Sequence, residues 1–392
     1  MKILYSHFGI FKKGGWGRTF SLADGLADLG NDVTLITVSA KKTLRIRKIN
    51  INNVKVVIFP DIFPEFLVSK GFGGLSLILK LLYSLCNRYD LLISDSGHRP
   101  GAGWPCLINK YFFNTTYIAE WWDYFGKGGQ LKNKPLMFKI FFGWFERRSE
   151  IFDKKQADGI IVLSNFMKNR ALNLGFPAQK IMIIHGGCDL KKIKHENLLG
   201  GKKIFNLDNS DIVFGYIGMS EGEIPDLEPF LIALSKFDEG IKFATFGKYL
   251  KDKTIKRHLL QNKILEMGWI DYDKDYKKLG IVDVFVLIKE ENQINLAGWP
   301  NKLGDYLACG KPVLLNPYGD IHEFVDRQKD IFYSVERDID DIVKVINKIR
   351  KGERLINGFA EKIINVANEN SWINKAKEIE LFYKQIHKNE EP

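Results

Sequence analysis

The feature that most constrains the fold is an alternation, along the whole chain, of short β-branched apolar runs with segments of helical length. This alternation is typical of parallel sheets whose two faces are covered by helices. The runs fall into two series separated by a polar segment, so the sequence predicts two doubly wound α/β halves. The first series comprises residues 2–6, 33–38, 54–59, 91–95, 115–119, 159–163 and 181–184, and the second comprises 211–218, 242–247, 282–287 and 312–316.

The domain boundaries follow from the segments between and after these runs. Residues 191–210 are polar and lack a sustained apolar period, which is typical of a linker. We therefore expect an N-terminal Rossmann-like domain over residues 1–190 and a C-terminal one over residues 205–370. Apolar residues recur at helical spacing in residues 371–387, ahead of a short charged tail. Residues 371–392 thus predict a closing helix that returns to the first domain.

Composition places the chain among globular proteins, because 45% of its residues are hydrophobic and only 27% are charged. Lysine and arginine number 58 against 47 aspartate and glutamate, which gives a net charge of +11 and favours an anionic partner. The basic residues are spread along the chain instead of forming the basic arm or helix face typical of nucleic-acid binders. We therefore expect a membrane surface or a phosphorylated metabolite as partner, and no nucleic acid.

Several features favour a cytoplasmic location. The four cysteines lie far apart, without the spacing of a zinc site or a disulfide framework, and the N-terminus lacks the pattern of a signal peptide. Residues 71–86 are apolar, but Lys80 interrupts them and they are shorter than the about 20 residues that cross a bilayer. Residues 138–148 are aromatic and basic, which fits either an interfacial helix or a core helix with a charged end. The first alternative places the protein at the inner face of the membrane.

A glycine-rich turn follows the first predicted strand. Gly14, Gly15 and Gly17 stand next to Arg18, immediately before a helix-like run. Glycines let backbone N–H groups approach a phosphate closely, and both a helix N-terminus and an arginine attract negative charge. The turn is neither G-x-G-x-x-G nor a P-loop, and strand-to-helix turns contain glycine for steric reasons as well. We expect these four residues to bind the phosphate groups of a ligand.

The most specific stretch is residues 300–313, PNKLGDYLACGKPV, which lies between an aspartate-containing strand pattern, VDVFVL, and the next strand. Its pattern P-x-K-x-x-(D/E)-Y-x-A-x-G-K-P-V resembles the donor-binding segment of family 4 glycosyltransferases. That resemblance implies the GT-B fold, in which two Rossmann-like domains face a cleft that holds donor and acceptor. The implied donor is a nucleoside diphosphate sugar, most readily a UDP- or GDP-sugar, bound by the second domain.

The same stretch suits a nucleotide on physical grounds. A helix that begins near Asn301 presents N–H groups and partial positive charge, and Lys302 adds a full charge for a diphosphate. Asp305 lies one turn further on, where its carboxylate can accept hydrogen bonds from ribose hydroxyls. The alternative is a helix with proline at its start and glycine after its end, which is good helix chemistry without any ligand.

Shorter stretches agree with the same family in order and spacing. They are residues 160–167, 183–189, 214–218, 246–248, 267–270 and 370–372. By this resemblance, Gly218 and Lys248 contribute to donor binding, while Trp269 and Ile270 contact the nucleotide base. The resemblance extends over essentially the whole chain.

Two departures from the family pattern bear on catalysis. The first of two glutamates that the family often carries falls on Ala297, and the family's usual arginine and lysine fall in the acidic segment 219–223. Lys302, with Lys248 and Arg18, would then have to balance the diphosphate. The alternative is a protein that binds a nucleotide-sugar without catalysing transfer.

Polar and aromatic residues follow two neighbouring predicted strands, where doubly wound sheets bind ligands. They are Asp95, His98 and Arg99 after one strand, and Trp121, Trp122 and Asp123 after the next. Indole rings pack on the C–H faces of a sugar while carboxylates bind its hydroxyls. His98 resembles the family's active-site histidine, and with Asp123 it is expected at the reacting centre. Asp95, Arg99 and Trp122 are expected to bind the acceptor; the alternatives are a solvated loop histidine and, for one of the tryptophans, core packing.

The sequence indicates no metal and no other cofactor. Asp271-Tyr272-Asp273 resembles the D-x-D metal motif of another glycosyltransferase fold, but it precedes a helix-like run that its aspartates would cap. The family resemblance also implies metal independence and retention of anomeric configuration. We therefore expect a hexosyltransferase that acts on a glycan or lipid-linked acceptor in cell-surface polysaccharide biosynthesis. A nucleotide-sugar epimerase of the same fold and a non-catalytic binding subunit are the alternatives.

Overall fold

The computed structural model of the chain describes residues 1–41, 44–95, 98–126, 129–198, 201–205, 207–208, 210–352 and 359–388. The chain divides into two compact units. Unit 1 comprises residues 1–186, 296–299 and 372–392, and unit 2 comprises residues 187–295 and 300–371. Each unit contains a mainly parallel sheet with helices, which confirms the predicted α/β fold class.

Unit 1 is built on an eight-stranded sheet in the order β3-β4-β2-β1-β5-β6-β7-β8. Its strands are β1 (Lys2–Ile10), β2 (Asp32–Val38), β3 (Arg47–Ile51), β4 (Val54–Phe59), β5 (Leu91–Ser94), β6 (Thr116–Trp121), β7 (Gly159–Val162) and β8 (Ile181–Ile183). Central strands bury both faces, as Ile3, Leu4 and Tyr5 show, because helices cover the two sides. The strand order reverses between β1 and β5, and doubly wound sheets bind ligands at the carboxyl ends of such a pair.

Strand β3 falls outside the predicted runs and pairs antiparallel with β4, at the edge of the sheet. All other neighbours in this sheet are parallel. The sequence of β3, RKINI, carries two basic residues and is largely exposed. Charged side chains suit an edge strand because they disfavour pairing with another chain. Because of these side chains the strand does not form an apolar run, so the sequence pattern did not predict it.

The helices, numbered along the whole chain, begin with those of unit 1. They are α1 (Trp16–Asp28), α2 (Glu65–Val68), α3 (Leu75–Leu85), α4 (Pro100–Phe113), α5 (Leu136–Gln156), α6 (Asn165–Asn173) and the C-terminal α15 (Trp372–Lys388). Helix α15 is the predicted closing helix, and Ala376, Ile379 and Phe382 bury it in the core of unit 1. It packs on α1 at Gly25, where a Cβ would stand 2.8 Å from the carbonyl oxygen of Trp372. The predicted charged tail, residues 389–392, lies outside the described residues.

Unit 2 is built on a six-stranded parallel sheet in the order β11-β10-β9-β12-β13-β14. Its strands are β9 (Ile212–Met219), β10 (Ile241–Gly247), β11 (Ile264–Gly268), β12 (Val284–Leu287), β13 (Val313–Leu315) and β14 (Phe332–Ser334). The helices between α6 and α15 are α7 (Gly201–Ile204), α8 (Ile224–Ser235), α9 (Asp252–Arg257), α10 (Gln293–Ala297), α11 (Asn301–Ala308), α12 (Asp320–Arg327), α13 (Ile339–Arg350) and α14 (Phe359–Glu369). Here the strand order reverses between β9 and β12.

The polar segment expected as a linker, residues 191–210, is not where the units divide. The division falls between Gly186 and Gly187, and the described part of the segment belongs to unit 2. Ile193 and Leu198 are both almost fully buried there. Two widely spaced apolar anchors hold the segment against unit 2 without producing a helical or strand period in the sequence.

Candidate functional site

The first candidate half-site lies in unit 1, where the glycine turn follows β1 and leads into α1. Gly15 packs against the indole of Trp122, and a Cβ there would stand 2.3 Å from a ring carbon. Gly14 has a φ of 59°, which favours glycine. A Cβ at Gly14 or at Gly17 would meet no atom within 4 Å. Packing thus explains Gly15, whereas Gly14 and Gly17 border open space.

Arg18 does not reach into that open space. Its side chain is buried, and its Nε donates to Glu120 Oε2 at 2.9 Å. Its two terminal nitrogens donate to the carbonyl oxygens of Ile184 and His185 at 3.1 and 3.2 Å. Because the guanidinium charge is neutralised by a buried carboxylate inside unit 1, the expectation that Arg18 binds a phosphate is wrong.

Asp95 is likewise an interior residue and not an acceptor ligand. It is fully buried directly after β5, and its carboxylate accepts hydrogen bonds from Thr19 Oγ1 at 2.7 Å and from the backbone N–H of Phe8 at 3.0 Å. His7 Nδ1 forms a further short bond to the same carboxylate. Asp95 therefore connects β1, α1 and β5, which corrects the sequence expectation. The available sequence signal for this contact is His7, a histidine directly after the first predicted run, residues 2–6.

A buried lysine stabilises the same region. Lys80 on α3 is fully buried and donates to the carbonyl oxygens of His7 at 2.7 Å and Gly101 at 2.8 Å. Burial lowers the pKa of Lys80 from 10.5 to about 7, against the opposing charge of Asp95. Since Gly101 lies at the start of α4, Lys80 fixes that helix to β1 and so positions the residues just before it.

His98 and Arg99 lie immediately before α4. His98 is buried, with its ring centroid 4.2 Å from that of Phe125 and its Nε2 3.8 Å from Oε2 of Glu146. Burial lowers the pKa of His98 well below its ordinary value, and the charge of Arg99 acts in the same direction, so the ring is neutral near pH 7. Arg99 forms an ion pair with Glu146. The structure thus brings His98 and Arg99 together beside Glu146 of α5, a partner that sequence reasoning missed.

The residues after β6 divide between core and surface. Trp121 is buried and donates to Glu150 at 2.8 Å, so it is the core member of the tryptophan pair. Trp122 is half-buried, donates to Glu120 at 2.6 Å and packs on the glycine turn. Burial raises the pKa of the half-buried Asp123 to about 6, although a hydrogen bond with Gln130 opposes the shift. Trp122 therefore packs against the turn, Asp123 is half-buried beside Gln130, and Trp121 belongs to the core.

The second candidate half-site lies in unit 2, at the carboxyl ends of β9 and β12. Helix α11 begins with the exposed Asn301, directly after Pro300. In its first turn, Gly304 lies so close to the chain at Gly187 that a Cβ would stand 2.2 Å from the Gly187 carbonyl oxygen. Glycine at residue 304 therefore allows the first turn of α11 to pack closely against the backbone at Gly187.

Lys302 belongs to a compact charged cluster beside the end of β9. Its Nζ lies 2.6 Å from the hydroxyl of Tyr216 and 3.0 Å from Glu223 Oε2. Lys289 donates to the same oxygen at 3.1 Å and to Asp226 at 2.7 Å. Although burial acts in the opposite direction, Lys302 and Lys289 lower the pKa of Glu223 to about 2. Burial lowers the pKa of Lys302 to about 8.

Sequence reasoning missed Lys289. The available signal is a lysine at the end of the apolar run IVDVFVLIK, because a charge directly after a buried parallel strand stands at the ligand-binding edge of the sheet. The side chain of Lys289 is 13% exposed. It adds a second ammonium group to the cluster around Glu223.

Asp305 lies one turn after Lys302 and receives a hydrogen bond of 3.0 Å from the hydroxyl of Tyr272. Burial raises the pKa of Asp305 to about 7. Tyr272 is the central residue of the D-x-D sequence, and Asp271 Oδ1 instead accepts a bond of 3.0 Å from the backbone N–H of Asp273. That sequence therefore contributes its tyrosine to the half-site while an aspartate stabilises a turn. Among the described residues, no group of three or more histidine, cysteine or acidic side chains is arranged to hold a metal.

The remaining expected donor residues lie along the same edge of the unit 2 sheet. Gly218 has a φ of 79°, and a Cβ there would stand 3.8 Å from Nζ of Lys302, so these two residues adjoin. The side chain of Lys248 is exposed directly after β10. After β11, Trp269 is 68% exposed and Ile270 is half-buried. Gly218 therefore lies next to Lys302, whereas Lys248 and Trp269 are exposed after the neighbouring strands β10 and β11.

Ala297, at the position of the family's first glutamate, is a buried core residue of unit 1. Its carbonyl oxygen accepts a hydrogen bond of 3.0 Å from Ser164 Oγ, the side chain that also caps α6. Ala297 packs in a cluster with Trp121. This position therefore offers packing and a backbone contact instead of a carboxylate.

Comparison with known proteins gives two sequence matches. Residues 14–192 match the model of Glycosyltransferase Family 4. The chain is also 22% identical over 240 residues to the uncharacterized glycosyltransferase MJ1069 of Methanocaldococcus jannaschii. That alignment covers 59% of this chain and 59% of the length of that relative.

Solved structures are similar over nearly the full length. Sucrose-phosphate synthase from Thermosynechococcus elongatus is 15% identical with a TM-score of 0.71, over 99% of both chains. A glycosyltransferase from Rickettsia africae is 18% identical with a TM-score of 0.64, again over 99% of both. Anabaena Alr3699/HepE in complex with UDP-glucose is 15% identical with a TM-score of 0.68, over 98% of this chain and 99% of that one. At these identities the likeness concerns the fold, which is the GT-B fold.

Proposed function

We propose that this chain, which has the GT-B fold and whose residues 14–192 match the model of Glycosyltransferase Family 4, transfers a sugar from a nucleoside diphosphate sugar to an acceptor. The observation that carries the proposal is the pairing of Lys302 with Gly218 at the strand-order reversal of unit 2. A cation beside an open glycine backbone, at the carboxyl ends of parallel strands, is a site suited to phosphate. A structurally similar protein, Anabaena Alr3699/HepE, is described in complex with UDP-glucose.

In the proposed donor site, unit 2 binds the nucleotide. Lys302 and the start of α11 stabilise the charge that develops on the leaving diphosphate. Asp305 accepts hydrogen bonds from the ribose, and the exposed indole of Trp269, with Ile270, packs on the base. UDP- and GDP-sugars are the proposed donors, with transfer of a hexose, retention of configuration and no metal requirement.

In the proposed acceptor site, unit 1 binds the second substrate near the glycine turn. His98 is neutral near pH 7 because burial lowers its pKa, so a ring nitrogen can form a hydrogen bond with a sugar hydroxyl. Asp123 orients the reacting sugar, and Arg99 and Trp122 contact the acceptor. A Cβ at Gly14 or Gly17 would meet no atom within 4 Å, so the backbone of this turn is accessible to a phosphate group.

Helix α5 supports a contact with a membrane surface, because its burial pattern is inverted. Glu146, Glu150 and Asp153 are among its buried residues, whereas Phe141 is 66% and Trp144 is 60% exposed. The exposed apolar residues of its first half are Leu136, Met137, Ile140, Phe141, Phe142 and Trp144, with Lys139 among them and Arg147 and Arg148 after them. An exposed aromatic face with basic neighbours is typical of helices that lie in the interface of an anionic bilayer. Of the two interpretations of residues 138–148, these exposures favour the interfacial helix.

We extend the proposal to a peripheral protein at the inner membrane face, acting on a lipid-linked or glycan acceptor in cell-surface polysaccharide biosynthesis. Within the described residues, no helix is both long and apolar enough to cross a bilayer. Flotation with vesicles that contain anionic lipid tests the contact: the double variant Phe141→Ser/Trp144→Ser should stay unbound. Equal binding of this variant and the wild type would contradict a role for α5.

Transfer itself is tested by incubating the protein with radiolabelled UDP- and GDP-sugars and a membrane lipid extract. Label in the lipid or glycan fraction supports the proposal, and its loss in the His98→Ala and Asp123→Ala variants supports the reacting centre. An isomerised sugar nucleotide formed without acceptor would indicate an epimerase instead. The non-catalytic alternative is favoured by the neutralisation of Lys302 by Glu223, and nucleotide binding without any product would support it.

A further inference from the structure

Three hydrogen-bond donors converge on one carboxylate oxygen in unit 2. Glu223 Oε2 accepts from Lys302 Nζ at 3.0 Å, from Lys289 Nζ at 3.1 Å and, by a short bond, from the hydroxyl of Tyr216. Two ammonium groups and a phenol hydroxyl around a single oxygen form an anion-binding arrangement. The anion that they bind here is the carboxylate of Glu223. Glu223 enters it from the 3₁₀ turn Glu221–Glu223, between β9 and α8.

This arrangement lies where doubly wound sheets bind their ligands. Tyr216 lies near the carboxyl end of β9 and Lys289 lies two residues after β12, the two strands between which the order of the sheet reverses. Gly218 adjoins Lys302 on the same side, and its missing side chain leaves the backbone there accessible. An oxyanion that replaced the Glu223 carboxylate would therefore contact both lysines, Tyr216 and this stretch of backbone.

The charges in the cluster balance without a ligand. Lys289 also bonds Asp226, so two lysines oppose two carboxylates and no net positive charge is presented. The four side chains are between 13% and 25% exposed, so water screens their attraction only in part. A diphosphate that approaches Lys302 must accordingly displace Glu223 or bind beside it.

We propose that Lys289, together with Lys302 and Tyr216, binds the phosphates of the nucleotide donor, and that Glu223 occupies this place until the donor displaces it. The inference rests on the proposed function and extends it with two residues, Lys289 as a phosphate ligand and Glu223 as a competing anion that sets donor affinity. Displacement moves both lysines from one anion to another, so neither ammonium group is left without a partner.

The test is calorimetric titration of the full-length protein with UDP and, separately, GDP. Glu223→Gln keeps the shape of the side chain but removes its charge, and it should tighten binding of the nucleotide by about tenfold; Lys289→Gln should weaken it by about tenfold or more. The gain from Glu223→Gln should be smaller in the Lys289→Gln background, because the two residues act on one another. A merely structural role of either residue would not produce this coupling.

Matched controls come from the same unit. Glu228→Gln removes a carboxylate of α8 whose partner is the exposed Arg257, and Lys236→Gln removes a lysine paired with Asp340 on the surface. Both should leave the nucleotide Kd unchanged, and circular dichroism reports whether each variant is folded. If the wild type binds UDP or GDP but neither cluster variant changes the Kd, the inference is wrong and the proposed function stands. If neither nucleotide binds the wild type or the Glu223→Gln variant, both are wrong.

Discussion

Lys80 offers a quantitative test of how unit 1 is held together, because its pKa is lowered from 10.5 to about 7 by burial. Between these pH values the folded protein has released a proton that the unfolded chain still holds. The free energy of unfolding therefore increases with pH in this range. From pH 7 to about pH 9.5 the contribution of Lys80 amounts to about 3 kcal/mol, at about 1.4 kcal/mol per pH unit.

Lys80→Met removes the titrating group while keeping a side chain of similar length. The variant loses both hydrogen bonds to the carbonyl oxygens of His7 and Gly101, a cost of about 1–3 kcal/mol for each buried acceptor left unsatisfied, and this cost does not depend on pH. The charged groups that act on Lys80, Asp95 and Asp61, remain in the variant. The difference between wild type and variant thus isolates the proton of Lys80.

The assay is urea unfolding of both proteins between pH 7 and pH 9.5, with Lys70→Met as a control that removes an exposed lysine. We expect the wild type to gain about 3 kcal/mol over the variant as the pH rises across this interval. Parallel stability curves for wild type and Lys80→Met would refute the reasoning. They would mean that Lys80 keeps its proton in the folded state and that its charge is balanced by groups other than those described.

Three further changes probe the two units. Glu120→Gln breaks the buried pair with Arg18 and should lower the free energy of unfolding by about 3–5 kcal/mol, whereas Glu65→Gln, in an exposed pair with a lysine, should cost less than about 1 kcal/mol; urea unfolding compares them. Gly304→Ala places a Cβ 2.2 Å from a carbonyl oxygen and should cost about 1–3 kcal/mol, measured by thermal unfolding; an unchanged midpoint would contradict the close approach. The raised pKa of Asp305, about 7 against 3.8, means that the folded state holds a proton the unfolded chain has lost, so stability should fall as pH rises between these values and Asp305→Asn should abolish that fall.

The sequence contained most of what decides the fold. Parallel strands buried on both faces leave apolar runs that stand out against helical segments, so both sheets were predictable. Three edge strands were not: β3 is basic and exposed, β11 has no fully buried residue, and β14 is only three residues long. The first domain was predicted to end at residue 190 and unit 1 ends at Gly186, but the sequence did not indicate that the polar segment 191–210 belongs to unit 2, because Ile193 and Leu198 are isolated buried residues without a period.

The positions of residues at the strand ends were predictable from the sequence, whereas the partners of single residues were less so. Strand ends indicate where ligands bind, and Lys302 and Gly218 do adjoin there. The roles of Arg18 and Asp95 depended on partners distant in the chain: Glu120 lies 102 residues from Arg18 and His7 lies 88 residues from Asp95. Single-sequence patterns carry no information about such pairs, so a charge next to a glycine turn was attributed to a ligand when a buried carboxylate neutralises it.

The most direct test of donor binding is a thermal-shift screen of the purified protein against UDP-, GDP-, ADP- and CMP-sugars. A ligand at 100 times its Kd that binds only the folded state stabilises it by about 2.7 kcal/mol, which corresponds to roughly 5–10 °C for a domain of the size of unit 2. We predict such a shift with a UDP- or GDP-sugar for the wild type and its loss in Lys302→Gln. The absence of a shift with all four sugar nucleotides would contradict the account.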